Sequence, residues 1–322
     1  MRFLCLPFSS LRVSALCLGG GELGSSLDQA ASLQVIDCFW AAGGTFFDTA
    51  PVYGRDGASE KTLGAWLASR RAREKVVLAT KGGIAPDGAL RLAPAQLRAD
   101  LEKSLRRLGT DRVDVYWLHR DDPSRSVEEL MLTLGEFHRS GKARYFGASN
   151  WSPSRIGEAN AFARAHGLPT FIADQTLWNA AVLQRQPYGD PSVGYMNAER
   201  RRFHETSGMA MVPFQPQAYG YFQRLEAGTL DAMNPGFRGF YDEAGTRARF
   251  AVMQNIGRET GFSVSQIVLA YLTSQPIPTV PILGFHRLEQ VEDSLRAADI
   301  RLTSAHVARI EGAASNPCSN FY

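Results

Sequence analysis

Four polar residues follow short apolar runs in the amino-terminal part of the sequence, at the points where strands would end. Asp48, Lys81 and His119 each end or directly follow such a run, and Tyr53 comes five residues after Asp48. A phenol with its ordinary pKa of about 10 donates a proton poorly at neutral pH, and a close ammonium makes it a better acid because it stabilises the phenolate. These residue types predict a tyrosine acid assisted by Lys81, with Asp48 holding the ammonium and His119 orienting a carbonyl oxygen.

Each of these residues also has an ordinary structural interpretation. An aspartate at a strand end often caps the chain, a tyrosine often packs half-buried, a lysine usually lies at the surface, and a histidine is often a core residue with satisfied hydrogen bonds. The chemical interpretation depends on all four residues lying at one end of one sheet. In α/β barrels the catalytic groups collect at the carboxyl ends of the strands.

The rest of the chain predicts the elements that would position these residues. Eight short runs rich in Val, Ile and Phe alternate with amphipathic segments in one unbroken series. This alternation favours a closed (β/α)8 TIM barrel, formed as a single domain over residues 1–322, over two separate domains. The predicted strands are 15–19, 45–48, 76–80, 113–118, 144–149, 171–175, 210–214 and 279–283. The predicted helices are 29–42, 58–71, 94–108, 127–140, 153–166, 194–206, 245–260, 263–275 and 288–298.

Composition excludes some classes of partner. Lys and Arg total 35 against 32 Asp and Glu, a formal net charge of +3, and the basic residues are scattered. Without a basic stripe we expect a small-molecule partner and neither nucleic acid nor an anionic membrane. The densest basic run, residues 200–202, lies beside acidic residues and is interpreted as a solvated helix face without a functional role.

Cysteine usage and hydropathy predict a cytoplasmic protein. Cys5, Cys17, Cys38 and Cys318 show neither CxxC spacing nor the density of a disulfide framework. This pattern favours reduced thiols over disulfides or a zinc site, and no metal is expected. No uninterrupted run reaches the roughly 18 apolar residues that a membrane helix needs.

Four motifs strongly resemble the aldo-keto reductases, and the resemblance runs nearly the whole length of the chain. They are Phe47-Asp48-Thr49-Ala50 with Tyr53-Gly54, Ala79-Thr80-Lys81-Gly82-Gly83, Leu118-His119-Arg120 and Gly147-Ala148-Ser149-Asn150. The resemblance implies a (β/α)8 fold with Asp48, Tyr53, Lys81 and His119 as a catalytic tetrad. It also implies that Tyr53 donates a proton and that a nicotinamide cofactor supplies hydride, which reduces an aldehyde or ketone to the alcohol.

The same resemblance implies the residues around the nicotinamide. It places Asp48, Ser149, Asn150 and Gln175 in the cofactor site, the last three against the carboxamide. It places Phe214 under the ring, where the family usually has a tyrosine, and Gly21 and Glu22 in a nearby loop. Stacking needs the aromatic ring rather than the hydroxyl, so Phe214 is compatible with this role.

The resemblance implies an adenosine-phosphate site after the eighth strand, at Gly284, Arg287 and Gln290. The sequence departs from the family pattern here. Leu283 replaces a proline, Ser294 replaces an asparagine that contacts adenine, and Gly284 stands where many NADPH-specific members have a basic residue. Arg287 is then the candidate cation for a 2′-phosphate, which favours NADP(H) while leaving NAD(H) open.

Two connections that follow strands, residues 183–193 and 219–244, are long and rich in Gly, Pro, Tyr and Phe. Such loops at this end of a barrel are usually functional. Gln217 and Tyr219 offer a polar group and an aromatic face to a substrate in a stretch where family members commonly carry aliphatic residues, and Trp178 offers an aromatic face on the preceding loop. They predict a polar carbonyl substrate such as a keto-sugar.

Two other functions remain open from the sequence. Lys81 is also suited to form a Schiff base in an aldolase or isomerase barrel. A second alternative is a nucleotide-binding regulatory or redox-sensing subunit with the same fold. The sequence leaves the direction of reaction and the oligomeric state undetermined.

Overall fold

Eight parallel strands form one closed sheet in the computed structural model, which describes residues 1–183 and 185–314. Strands adjacent in sequence pair with one another, and the last strand pairs with the first. The seventh and eighth strand segments are also joined: the backbone N–H of Val280 donates to the Met211 carbonyl and that of Ile282 to the Pro213 carbonyl, each at 2.9 Å. The predicted (β/α)8 barrel is therefore confirmed. Its strands are β3 (Cys17–Gly19), β4 (Phe46–Asp48), β5 (Val77–Gly82), β6 (Val113–Leu118), β7 (Ala143–Ser149), β8 (Phe171–Gln175), β9 (Ala210–Met211) and β10 (Ile282–Leu283).

The helices cover the outside of this sheet. Those of the first part are α1 (Gln29–Ala41), α2 (Ala58–Arg70), α3 (Pro94–Leu108), α4 (Val127–Arg139), α5 (Pro153–Ala165) and α6 (Ala198–Ser207). They are followed by α7 (Tyr221–Glu226), α8 (Pro235–Tyr241), α9 (Ala244–Thr260), α10 (Val264–Thr273), α11 (Leu288–Arg296) and α12 (Ser304–Gly312). Ser152 caps α5, since its side chain accepts from the backbone N–H of Arg155. None of the described helices combines the length and apolarity needed to cross a membrane.

Several sequence expectations need correction. The helix predicted to begin at residue 194 begins at Ala198 instead. The residues before it pair with the segment that follows β8, where the backbone N–H of Leu177 donates to the Gly194 carbonyl at 3.0 Å. The connection 219–244 holds α7 and α8, which its Gly and Pro content concealed. The sequence also did not predict α12 or the antiparallel hairpin β1 (Phe3–Cys5) and β2 (Arg12–Ser14). Cys318, predicted to be a reduced thiol, lies outside the described residues.

The hairpin closes the amino-terminal end of the barrel. Its Leu6, Leu11 and Val13 are almost fully buried and pack in one cluster with barrel-lining residues such as Phe46 and Val77. The outer face of the sheet packs against the helices in two larger clusters. The carboxyl ends of the strands are left to the loops that carry the polar residues.

Trp117 fills the barrel below that open end. It lies on β6, is fully buried, and is paired in register with Gly147 on β7. A Cβ on Gly147 would lie 2.1 Å from an atom of the Trp117 ring. The glycine in the Gly147-Ala148-Ser149-Asn150 motif is therefore required by packing.

Gly147→Ala should destabilise the protein by about 1–3 kcal/mol or more, because overpacking a rigid interior forces strain. The control is Gly157→Ala on α5, where an added Cβ meets nothing within 4 Å. That change should be neutral or stabilising by about 0.5–1 kcal/mol. Chemical denaturation measures both free energies of unfolding, and equal effects would show that Gly147 is not packed as described.

Candidate active site

A buried ion pair joins β4 to the neighbouring strand β5. Lys81 Nζ donates to a carboxylate oxygen of Asp48 and, at 3.0 Å, to the Thr49 carbonyl. Both charged side chains are at most 2% exposed. The second Asp48 oxygen accepts from Gln175 Nε2 at 3.2 Å, across the barrel on β8. The ammonium and the carboxylate are therefore held by partners from three strands.

Tyr53 and His119 complete the predicted group of four. Lys81 Nζ lies 4.9 Å from the centroid of the Tyr53 ring. The His119 ring meets the Tyr53 ring edge-on, with centroids 5.9 Å apart. Both rings are half-buried, so they line the opening of the barrel rather than its packed interior. The structure thus brings together all four residues that the sequence predicts to be catalytic.

Burial and charge set the protonation of this group. Burial alone would lower the pKa of Lys81, but Asp48 and Tyr53 raise it above its ordinary value, so the ammonium stays charged. Burial lowers the pKa of His119 well below its usual range, and Lys81 lowers it further, so the ring is neutral at neutral pH. Burial raises the pKa of Tyr53, and Lys81 only opposes that rise. The expected net lowering of the phenol's pKa is therefore not present.

The predicted carboxamide-binding residues lie beside this group. Asn150 has a left-handed backbone with φ of 63°. Its amide nitrogen donates to the His119 carbonyl at 3.2 Å and to Ser149 Oγ at 3.0 Å, and its amide oxygen accepts from the Gly194 N–H at 3.1 Å. Gln175 is buried and bound to Asp48. These contacts connect Ser149, Asn150 and Gln175 directly to the tetrad.

A buried charge network supports these residues from behind. Arg200 is only 4% exposed and pairs with Asp174, which directly precedes Gln175. The Arg200 guanidinium also donates to the carbonyl of Trp151, the residue after Asn150, at 2.6 Å. Asp174 accepts from His204 Nε2 at 3.1 Å as well. Interpreting residues 200–202 as a solvated face was therefore wrong for Arg200, and the aspartate in the apolar run of β8 was the signal that a partner was needed.

The predicted nucleotide-binding residues lie on loops, at strand ends and in the first turn of α11. Glu22 Oε2 lies 3.6 Å from His286 Nδ1, so the loop that carries Gly21 and Glu22 contacts the loop after β10. Arg287 is exposed at the start of α11. The side-chain oxygen of Gln290 accepts from the backbone N–H groups of His286 and Arg287, at 2.9 and 3.2 Å, and so caps that helix. Gly284 and half-buried Phe214 lie at the ends of the strand segments that carry them.

The three predicted substrate residues lie in different places. Tyr219 is 44% exposed, stacks on Phe237 with centroids 3.9 Å apart, and accepts from Gln215 Nε2 at 2.7 Å. Gln217 instead donates to Ser265 at 3.1 Å and Ser294 at 3.4 Å, on α10 and α11. Trp178 is buried in the core, 4% exposed. Of the three residues, only Tyr219 is exposed.

A closed parallel barrel that gathers an ammonium, a phenol and an imidazole at the carboxyl ends of its strands has the architecture of a barrel enzyme. The sequence matches the profile of the Aldo/keto reductase family over residues 15–315. The chain belongs to this family, and it is an oxidoreductase. The resemblance inferred from the motifs is confirmed.

Named relatives are similar over nearly the whole chain. Norsolorinic acid reductase B of Dothistroma septosporum is 29% identical, over 95% of this chain and 80% of its own length. Norsolorinic acid reductase B of Aspergillus parasiticus is 31% identical, over 95% and 82%. A putative aryl-alcohol dehydrogenase of Saccharomyces cerevisiae is 29% identical, over 94% and 84%. Their names all describe oxidation or reduction, in agreement with the family.

Arg200→Gln should cost about 3–5 kcal/mol at neutral pH, because it leaves a buried carboxylate without its cation. Burial acts to raise the pKa of Asp174, but Arg200 and His204 bring it below its ordinary value. A carboxylate with a depressed folded-state pKa stabilises the protein above its unfolded-state pKa, and that contribution is lost as the pH falls through the folded-state value. The difference in the free energy of unfolding between the wild type and Arg200→Gln should therefore become smaller as the pH falls.

Arg201→Gln is the matched control, since the adjacent Arg201 is 28% exposed and pairs with Glu311 at 2.9 Å. Its cost should be about 1 kcal/mol or less. Chemical denaturation at several pH values measures the free energy of unfolding of both variants. A destabilisation by Arg200→Gln that does not change with pH would contradict the ion pair between Arg200 and a charged Asp174.

Proposed function

We propose that the protein is an NAD(P)H-dependent carbonyl reductase that converts an aldehyde or ketone into the alcohol, with Tyr53 as the proton donor. The observation that carries this proposal is the position of the buried Lys81 ammonium, paired with Asp48 and facing the Tyr53 ring at 4.9 Å. We also propose a small-molecule carbonyl or alcohol as its partner and, from the cysteine usage, the cytoplasm as its compartment.

Each residue of the group has a separate task in the reaction. Burial keeps Tyr53 protonated at neutral pH, so the phenol holds the proton that the carbonyl oxygen needs. Lys81 stabilises the phenolate that remains, and Asp48 keeps that ammonium in place. His119, neutral because of its burial, can donate one hydrogen bond to the carbonyl oxygen without competing as an acid. A bound nicotinamide cofactor would supply the hydride to the carbonyl carbon.

The structure gives no support to a Lys81 Schiff base. A nucleophilic lysine must be deprotonated and free to reach a carbonyl. Lys81 is fully buried, its pKa is raised by Asp48 and Tyr53, and its ammonium already donates to two oxygens. The remaining alternative is a nucleotide-binding regulatory subunit that does not turn over a substrate. Measured reduction of a carbonyl compound would decide in favour of the enzyme.

The residues around the mouth fit a nicotinamide dinucleotide. Phe214 offers a half-buried ring, and Ser149 and Asn150 offer polar atoms near His119. Gly284 leaves open space where a Cβ would stand, as close approach to a diphosphate requires. Arg287 at the start of α11 would hold a 2′-phosphate, so we propose NADP(H) as the preferred cofactor and NAD(H) as the alternative.

The substrate site is better suited to a flat aromatic compound than to a keto-sugar. The amides expected to bind hydroxyl groups are already bonded within the protein: Gln215 to the phenols of Tyr188, Tyr219 and Tyr241, and Gln217 to two serines. What remains exposed is aromatic surface, with Tyr188 40% and Tyr219 44% exposed. The name of one relative, a putative aryl-alcohol dehydrogenase, also supports an aromatic compound. The keto-sugar stays a prediction that a substrate panel can test.

Tyr53→Phe should reduce turnover at least about a hundredfold, the usual effect of losing a general acid, while leaving folding and cofactor binding nearly unchanged. Tyr145→Phe is the control, since Tyr145 binds Ser10 of the amino-terminal hairpin and should be dispensable for turnover. A panel of aldehydes and ketones, followed at the nicotinamide absorbance band with each cofactor, measures both variants. Wild-type rates in Tyr53→Phe would remove this residue from the mechanism.

Arg287→Ala should weaken NADPH binding by about 1.5–3 kcal/mol and spare NADH, because only NADPH carries the 2′-phosphate. Arg296→Ala, at the other end of the same helix, should affect neither cofactor. Fluorescence titration of the protein with each nucleotide measures these affinities without a substrate. Equal losses for both nucleotides in Arg287→Ala would assign Arg287 to structure instead.

A further inference from the structure

A half-buried arginine stands next to the proposed catalytic histidine. Arg120 directly follows His119 at the carboxyl end of β6 and is half-buried. Its backbone is fixed, since Trp151 Nε1 donates to the Arg120 carbonyl at 3.2 Å and Asn150 donates to the His119 carbonyl at 3.2 Å. Among residues 1–183 and 185–314, no side chain forms a hydrogen bond or ion pair with its guanidinium.

The carboxylates nearest in sequence are committed to other cations. Asp121 accepts from Arg155 Nε at 2.8 Å. Asp122 pairs with Arg125 at 3.6 Å, and Arg125 also pairs with a glutamate on the following helix. The loop itself holds two arginines and two aspartates, but Arg155 of α5 and Arg125 take up both carboxylates, so in the described part of the chain neither aspartate pairs with Arg120.

The charge of Arg120 acts on the mouth of the barrel. Burial raises the pKa of the Tyr53 phenol, and Arg120 is one of the cations that oppose this rise. Burial lowers the pKa of Arg120 itself, against the influence of Asp190 and Tyr53. Asp190 belongs to the loop that also carries the exposed ring of Tyr188, and its Oδ1 accepts from Ser192. A partly desolvated cation beside the reacting group is costly unless an anion binds to it.

We propose that Arg120 binds a carboxylate of the substrate, so that the preferred substrates are oxo acids, carbonyl compounds that also carry a carboxylate. The proposal rests on the carbonyl reductase function proposed above. Tyr53 and His119 would hold the carbonyl oxygen, and the planar guanidinium would hold the carboxylate through paired N–H donors. The exposed rings of Tyr188 and Tyr219 suit an aromatic body between these two points.

The test compares 4-formylbenzoate with its neutral methyl ester on the full chain. Calorimetry measures binding of each compound, and NADPH and NADH oxidation measures turnover. The variants are Arg120→Gln, Arg120→Lys and, as a matched control from the same loop, Arg125→Gln. We expect the wild type to favour the carboxylate at least about tenfold in Kd and kcat/KM, the usual effect of one charge-assisted contact.

Arg120→Gln should abolish this preference, because it should weaken binding and kcat/KM for the carboxylate at least about tenfold more than for the ester. Arg120→Lys should retain part of the preference, and Arg125→Gln should retain all of it. The proposal is overturned if the wild type does not favour the carboxylate, if the preference survives in Arg120→Gln, or if that variant mainly loses affinity for NADPH. Arg120-dependent binding without reduction of either compound would sustain the carboxylate site and count against the reductase function. Equal turnover of both compounds in all variants would support the reductase function and contradict the carboxylate site.

Discussion

The Lys81–Asp48 ion pair is the constraint on which the rest of the site depends. Both side chains are almost fully buried, and removing two charges from water costs several kcal/mol each unless their partners are well placed. The register of β4 on β5 sets Asp48 opposite Ala79, so that Lys81 reaches back to the carboxylate and the Thr49 carbonyl. Gln175 then satisfies the remaining oxygen from the far side of the barrel. A charged lysine at this depth exists only because three strands supply its surroundings.

A closed parallel barrel is what makes such surroundings available. Asp48 and Gln175 are 127 positions apart in sequence and come within 3.2 Å because the sheet curls until β4 faces β8. The same closure demands a packed interior below the site, where Trp117 occupies the space that Gly147 leaves. Behind β8, Arg200 joins Asp174 to the Trp151 carbonyl and so fixes the two segments that carry Gln175 and Asn150. The chemistry at the mouth thus depends on charges and packing that never touch a ligand.

The sequence predicted the barrel and the four central residues because both leave local signals: apolar runs at regular intervals, and polar residues where those runs end. It failed where the decisive contact is made far along the chain. Arg200 was indistinguishable from its solvent-facing neighbours until folding paired it with Asp174. Gln217 and Trp178 had suitable side chains, but the backbone path of the loops directs one to two serines and buries the other. The net pKa shift of Tyr53 was equally out of reach, since burial there outweighs the lysine.

At the mouth of the barrel, the loops that would contact a substrate are separate from the four residues proposed to carry out reduction. Non-glycine residues with positive φ cluster in the loops there: Asn150, Tyr188, Gln215, Ala218 and Tyr219 all have φ between 51° and 63°. Such conformations cost about 1–3 kcal/mol each and persist only where surrounding contacts hold them. Here the phenol groups of Tyr188, Tyr219 and Tyr241 all form hydrogen bonds with the Gln215 amide. Their polar atoms are therefore occupied within the protein, and the exposed rings of Tyr188 and Tyr219 offer aromatic surface. The loops therefore contribute shape and apolar contact, while Arg120, on the strand side of the opening, is the residue proposed to bind a carboxylate of the substrate.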